Sequence, residues 1–334
     1  MIKLLRYEIK KMLPAYIFIT AVLIIISYLS NMNATYISDN NFNAINSPLS
    51  SYAYFGGILT LIAPIVYMFK MKKINVDHYY QLPLKREKIY IIHYIVGLLM
   101  IMIPLAISFL VTMAQVCSKE HIFDLKYAYL YFLVLMISLT VMFTIFSFAF
   151  SRCNTSVDGI LNVFSYSYVP FIIILAFLNI TTLIDNYNSV WYSFNGFIFT
   201  PLGILTDKFN SLFCNKTATF VASDYIIFGC WAFAAVIFGI LSVILIKYDK
   251  AENSMQKSDS WFGYKIILPI ITICILSLGV FDESYVFILL GTSITMYGLY
   301  ALAERNIKIG KKNLIVLGIC IAVGVLLSII TGLY

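Results

Sequence analysis

Charge in this chain is sparse and bunched, and the stretches between the bunches are apolar for about 18 to 25 residues at a time. A helix rising ~1.5 Å per residue crosses roughly 30 Å of hydrocarbon over such a length. Charged residues make up 12% of the 334 and hydrophobic residues 61%, whereas soluble domains carry roughly 25% charge. A β-barrel would need dyad alternation in segments of about 10 residues, and runs such as FIIILAFL and IILPIITICIL have none. The expected fold class is an all-α integral membrane protein, a polytopic helical bundle.

Nine spans are expected, over residues 14–30, 52–71, 89–113, 127–150, 159–184, 225–246, 265–281, 285–303 and 314–332. The seventh is short and the last weakly bounded, so eight is the alternative count. The first follows a basic start, and SNMNATY after it offers no small-residue cleavage site, so it reads as a retained signal anchor.

Lys and Arg set the orientation. One side collects Lys3, Arg6, Lys10 and Lys11, the six from Lys70 to Lys88, Arg152, the four from Lys247 to Lys265, and Arg305, Lys308, Lys311 and Lys312. The other side holds Lys119, Lys126, Lys208 and Lys216, an asymmetry of 19 against 4 among the 23 basic residues. The N-terminus is therefore expected in the cytoplasm and the protein in the cell (plasma) membrane. The net charge of +7 expresses topology and implies no nucleic acid.

Residues 1–13, MIKLLRYEIKKML, gather Ile2, Leu5, Ile9, Met12 and Leu13 on one helical arc and Arg6, Lys10, Lys3 and Lys11 on another. Such a segment suits an interfacial helix in the headgroup layer, with the chain turning inward at Pro14. Six cysteines include no C-x-x-C pair, and only Cys117 and Cys214 fall in expected outer loops. Whether those two are bridged stays open. A charge run over 247–265 suggests an internal boundary, with residues 1–248 as a six-span core and 249–334 as a C-terminal extension of two or three spans.

An intramembrane enzyme or ion-coupled pump needs ionisable groups inside the bilayer. All sixteen acidic residues fall in connecting segments or at span ends, and among the three histidines only His93 enters a span, as an interfacial hydrogen-bonder. There is no H-E-x-x-H, G-x-S-x-G or G-x-x-x-x-G-K-[ST], so no catalytic, cofactor or metal residue is expected in this chain.

Against this background VDHYYQLPLKREK, residues 76–88, stands out as a polar stretch between two apolar segments. Asn75 or Asp77 suits the cap of a short helical turn. Leu82 precedes Pro83 and is pushed to an extended conformation, and Pro83 suits the first turn of a new helix. A kinked cytoplasmic element presenting Tyr80 and Leu82 among charges is expected.

The stretch resembles the cytoplasmic loop between the second and third helices of ABC-2-type transporter permeases of Gram-positive bacteria, which often reads acidic residue, Leu-Pro, a short pair and Arg. Those positions here are Asp77, Leu82, Pro83 and Arg86. YDKAENSMQ after the sixth span and Glu304 closing YGLYALAE are similar to further basic segments with an acidic residue in that family. Gln81 and Lys85 stand where the family commonly has small hydroxyl residues. The resemblance implies a six-span ABC-2-like core and an ATPase-coupling loop made of Asp77, Tyr80, Leu82, Pro83 and Arg86. It also implies a separate ABC ATPase subunit carrying ATP and Mg, and a second permease chain as homodimer or heterodimer. The activity implied is export of a hydrophobic, peptide or lipid-like substrate, with no ATPase motif and no enzyme activity in this chain. Two other classes compete: a non-transporting membrane sensor or assembly subunit, and a secondary transporter, which buried acidic residues or broken helices would favour.

Overall fold

The computed structural model describes residues 2–33, 50–117, 125–182, 201–205, 220, 222–249, 252, 254–256, 262–278 and 285–332. Cys214 and most of the expected outer loops lie outside the described residues, and with them the open question of a Cys117–Cys214 bridge.

Every regular element among the described residues is helical. In chain order they are α1 (Ile2–Asn33), α2 (Ser50–Ile62) running into a 3₁₀ segment (Ala63–Met71), α3 (Lys73–Tyr80) and α4 (Arg86–Cys117). Then come α5 (Leu125–Ser151), α6 (Ser156–Thr182), α7 (Ala222–Leu245) with a 3₁₀ turn (Ile246–Tyr248), α8 (Tyr264–Leu278), α9 (Tyr285–Glu304) and α10 (Lys311–Gly332). Among the described residues seven helices are long and apolar enough to cross a membrane, over Ile2–Leu29, Tyr52–Met71, Arg86–Gln115, Ala128–Ser151, Asp224–Tyr248, Tyr285–Glu304 and Lys311–Ile329. The protein is a multi-pass helical membrane protein. Large apolar side chains that a soluble protein would bury, such as Phe18, Phe233, Phe287 and Ile294, stand exposed, as lipid-facing groups do.

The expected turn at Pro14 is absent. α1 is continuous from Ile2 to Asn33 with Pro14 inside it. A proline there removes one backbone bond, to the carbonyl of Lys10, and the helix continues around that loss. The second expected span is regular only in its first half: after Ile62 it tightens into nine residues of 3₁₀ helix beginning beside Pro64. Runs beyond three or four residues are uncommon in that geometry.

The chain divides into two compact units, Met1–Tyr67 with His78–Phe148 and Asn195–Asp249, and Met68–Asp77 with Ala149–Phe194 and Lys250–Tyr334. In the first unit α1 lies along α4, tied by Tyr16 Oη donating to the Val96 carbonyl at 2.9 Å. Tyr52, 1% exposed, joins α2 to both of them: its hydroxyl donates to the Ser108 carbonyl at 3.0 Å, lies 2.9 Å from the Ser27 hydroxyl, and also meets Thr112 Oγ1. Phe109 and Phe132 stack at 3.8 Å between α4 and α5. Gly97 permits that crossing, because a Cβ there would stand 2.5 Å from the Phe143 ring. Small residues let membrane helices approach in this way.

In the second unit α8 is the central element, packed by α6, α9 and α10. Its Ile267, Leu268 and Ile271 form a core with Met296, Tyr300 and Leu317. Gly324 of α10 lies so close to α8 that a Cβ would stand 2.6 Å from Leu276. Tyr166 Oη of α6 donates to the Phe262 carbonyl at 3.0 Å, and buried Asn162 donates to the Ala149 carbonyl at 3.0 Å.

The α9–α10 turn is a Schellman motif. Asn306 N–H donates to the Ala301 carbonyl and Arg305 N–H to the Leu302 carbonyl, each at 3.1 Å. Arg305 holds the left-handed position at φ 53°, where glycine is usual and an L side chain costs roughly 1–2 kcal/mol. Glu304 serves this turn: its carboxylate accepts from Gly310 N–H at 2.7 Å and from Asn313 Nδ2, closing the first turn of α10.

Candidate functional site

The polar stretch over 76–88 becomes a short helix, a tight turn and the start of a long helix. α3 begins earlier than the expected cap: the Lys72 carbonyl accepts from the N–H groups of Asn75 and Val76, both at 3.0 Å. Asn75 and Asp77 therefore sit inside the helix and do not cap it. Leu82 N–H returns to the Tyr79 carbonyl at 3.3 Å, and Leu84 N–H reaches the Leu82 carbonyl at 2.7 Å. The second bond closes a three-residue turn centred on Pro83, which suits the fixed φ of proline. α4 then starts at Arg86, with the Lys85 carbonyl accepting from Lys88 and Ile89 N–H. Pro83 thus belongs to the turn, and the expected first-turn position falls to Arg86.

Two sets of side chains hold this element. The first surrounds Glu8 of α1, which is 1% exposed. Tyr79 Oη donates to Glu8 Oε1, and Lys11 Nζ stands 3.8 Å from Glu8 Oε2 and 3.4 Å from Tyr79 Oη. His93 Nε2 of α4 lies 3.9 Å from Glu8 Oε2. His93 Nδ1 is 2.8 Å from the Ile89 carbonyl, an acceptor only, so that nitrogen carries a proton. A carboxylate buried this completely needs partners around it; the Tyr79 hydroxyl donates to it and the Lys11 ammonium pairs with it. Burial first, then the hydrogen bond to Glu8, raises the Tyr79 phenol above its ordinary value, so it remains a donor at any physiological pH.

The second set is built on Arg86. Its guanidinium lies over the Tyr80 ring, 4.7 Å from the centroid, and its Nη1 donates to the Asp249 carbonyl just after α7. Glu87 beside it meets Lys247 at 3.2 Å. A cation–π contact contributes about 0.5–1 kcal/mol at exposed positions, and a partly exposed ion pair about 0–1. The strength lies in the number of ties.

The five residues expected to form a coupling loop therefore separate. Tyr80 and Arg86 are paired with each other, Asp77 and Pro83 are exposed, and Leu82 is half-buried. Along α3 the spacing puts Ile74, Asp77 and His78 on one outward face, with Ile74 85% exposed; the exposed Gln81, Pro83 and Lys85 follow at the turn. Val76 and Tyr79, on the other face, are buried.

Sequence reasoning missed Glu8, Tyr79, Ile74 and Asp249. It treated His93 as isolated and Glu8 as an unremarkable member of a basic leader. The available signal was that Glu8 is the one acid among the first thirteen residues, on a helix whose other charges are all basic. Among the described residues no group of three or more His, Cys, Asp or Glu is arranged to hold a metal ion. Comparison with protein-family models, with curated proteins and with solved structures finds no match.

Proposed function

We propose that this chain is the membrane-spanning permease subunit of an ABC-2-type exporter, coupled to a separate ATPase through residues 73–86. The observation that carries this reading is an outward face of Ile74, Asp77, His78, Gln81 and Pro83 on an element whose other face is tied down at Glu8 and Asp249. A coupling element has to move as a unit when pushed, and internal ties of this kind let a short helix transmit a displacement. The likeness of Asp77, Leu82, Pro83 and Arg86 to the permease loop points the same way. Arg86, engaged within the chain, has the role of a brace, and the apolar contact falls to Ile74 and Leu82.

In this reading ATP and Mg bind the partner ATPase, two permease chains form the pathway as homodimer or heterodimer, and the substrate is hydrophobic, peptide or lipid-like. The core spans lie within residues 1–248 and the extension within 249–334, with nine crossings in the plasma membrane and the N-terminus in the cytoplasm.

The test is co-purification from the native host. The wild-type chain should bring down a P-loop ATPase. Leu82→Asp and Ile74→Asp should insert normally yet lose it, since a charge buried unpaired costs several kcal/mol and about 3 kcal/mol already weakens association on the order of a hundredfold. Retention of the ATPase by both variants, or ATP hydrolysis by the purified chain alone, would refute the proposal.

One observation favours a second reading, a secondary transporter: the buried Glu8 carboxylate facing His93 across 3.9 Å. That reading requires transport to stop when a protonophore collapses the gradient and to survive depletion of ATP. The exporter reading requires the reverse.

A further inference from the structure

Between the membrane-crossing stretches Tyr285–Glu304 and Lys311–Ile329 the chain passes through ERNIKIGKK, with four basic residues and one acid. That puts the turn at the level of lipid headgroups. The turn is also pinned. Besides the Schellman bonds and the Glu304 contacts, Tyr297 Oη donates to the Ile307 carbonyl at 2.9 Å and Lys308 N–H to Asn306 Oδ1 at 3.1 Å. Arg305, held in the left-handed region at φ 53°, donates from Nη1 to the Met255 carbonyl at 2.9 Å. A guanidinium has five N–H donors, so this bond aims the group without exhausting it.

Ile307 is 84% exposed and stands between Arg305 and Lys308, both exposed too, with Lys311 and Lys312 exposed at the start of α10. Among the described residues none of these four cations is in an ion pair. Glu304, the acid of the turn, is engaged by Gly310 N–H and Asn313. An isoleucine pinned outward among cations is unfavourable in water and suits a layer that is apolar beneath and anionic above. The same turn opens on a groove. Arg305 and Ile307 line a space of about 910 Å³ between the start of α6 and the end of α9, walled by Val157, Leu299 and Leu302. Gly298 belongs to that wall, and a Cβ there would meet nothing within 4 Å, which leaves a bare strip of helix for an extended chain. Asp158 also lines the groove, but Lys70 and Arg152 stand with it around Cys153, so the charge balance at that end is not negative.

Charge complementarity selects the occupant. A phosphate diester accepts paired hydrogen bonds from a guanidinium and neutralises part of the excess of cations. A zwitterionic headgroup would return a cation to a place that already has too many, whereas an anionic one does not. We infer that the α9–α10 turn and its groove bind an anionic phospholipid. The phosphate lies on Arg305, the rest of the headgroup over Lys308, Lys311 and Lys312, and an acyl chain along Gly298, Leu299 and Leu302. The inference rests on the membrane architecture and not on the exporter reading, so either can fail without the other.

The test titrates the full-length protein, delipidated in detergent, with dioleoyl phosphatidylglycerol, phosphatidylethanolamine and phosphatidylcholine, counting bound lipid by native mass spectrometry. One saturable phosphatidylglycerol per chain is expected, bound about fivefold or more tighter than the other two, since each basic residue beside an anionic lipid contributes roughly that factor. Lys308→Gln with Lys312→Gln should weaken phosphatidylglycerol on the order of tenfold and leave phosphatidylcholine unchanged. Arg305→Gly gives the left-handed position its usual residue, so the fold is kept, and should weaken phosphatidylglycerol about fivefold. Gly298→Phe grows into open space and fills the bare strip; it should weaken all three lipids alike. Lys3→Gln with Lys10→Gln removes the same charge from α1 and should change the affinity by less than about twofold. Equal affinity for the three lipids overturns the inference, as does an equal loss in the α1 double variant. So does displacement by inorganic phosphate at the lipid's own concentration. Full phosphatidylglycerol binding by Arg305→Gly or by Gly298→Phe overturns the site whatever the lysine variants do. Variants that keep the lipid but lose a co-purifying protein would assign the face to that protein and overturn it too.

Discussion

The α3–α4 turn and the α9–α10 turn both join helices at a cluster of basic residues, and they are held by opposite means. The first is fastened from far along the chain: Glu8 lies 71 residues from Tyr79, and Asp249 lies 163 residues from Arg86. The second closes on itself, with Glu304 reaching Gly310 and Asn313 over six and nine residues and a Schellman pair inside. Its backbone is secured by its own two helices, although the Arg305 side chain also reaches the Met255 carbonyl fifty residues away. A turn fastened to distant helices feels any movement of those helices and can return one. That contrast is why the α3–α4 element, and not its counterpart, is the candidate for coupling.

The comparison breaks most visibly at Tyr79. Tyr79→Phe removes a donor from a buried carboxylate and should lower stability by about 2 kcal/mol, measured by equilibrium unfolding in mixed micelles. In a Glu8→Leu background the same change should have less than half that effect, because the two residues act as a pair. Equal losses in both backgrounds would mean that the distant fastening carries no energy.

At the self-closed turn Glu304→Ala should cost about 1 kcal/mol, as the loss of a helix cap does. The loss should stay local. Hydrogen exchange at residues 311–314 should accelerate while exchange in α1 and α4 is unchanged. Acceleration that reaches α1 would show that this turn is not self-contained.

The smallest effect is expected at Arg86. Arg86→Met removes the contact over Tyr80 and the bond to Asp249, for a loss of about 1 kcal/mol. Limited proteolysis within residues 81–85 should become faster, with global unfolding little altered. An Arg86→Lys variant should fail to restore protection, since an ammonium lacks the planar fork that lies on a ring. Full rescue by lysine would reduce Arg86 to a point charge.

Much of the architecture is legible without coordinates because lipid imposes it. Long apolar runs become helices wherever backbone polar groups cannot reach water, and the limits of α2 with its 3₁₀ segment, α5, α9 and α10 follow those runs closely. The Leu82-Pro83 break is equally local, since a proline ring dictates its own φ whatever surrounds it. Pro14 reads from sequence as a turn because the same rule would normally end a helix there. A single lost hydrogen bond in a 32-residue helix is tolerated when the flanking turns are packed, and packing is not written in a local window.

What the chain dictates by itself is therefore helical class, approximate span limits and charge asymmetry, each a property of a short segment and its solvent. Tertiary structure decided which polar residues were partners. Glu8 belongs with Tyr79 and His93, Arg86 with Tyr80 and Asp249, Arg305 with Met255, and α6 with the C-terminal helices. Apart from Arg86 with Tyr80, six positions apart, these are pairings across many tens of residues, and at Glu8 helix packing excludes water from a charge that then has to find its partner. Hydrophobic period reports which segments avoid water but carries no record of which of them meet.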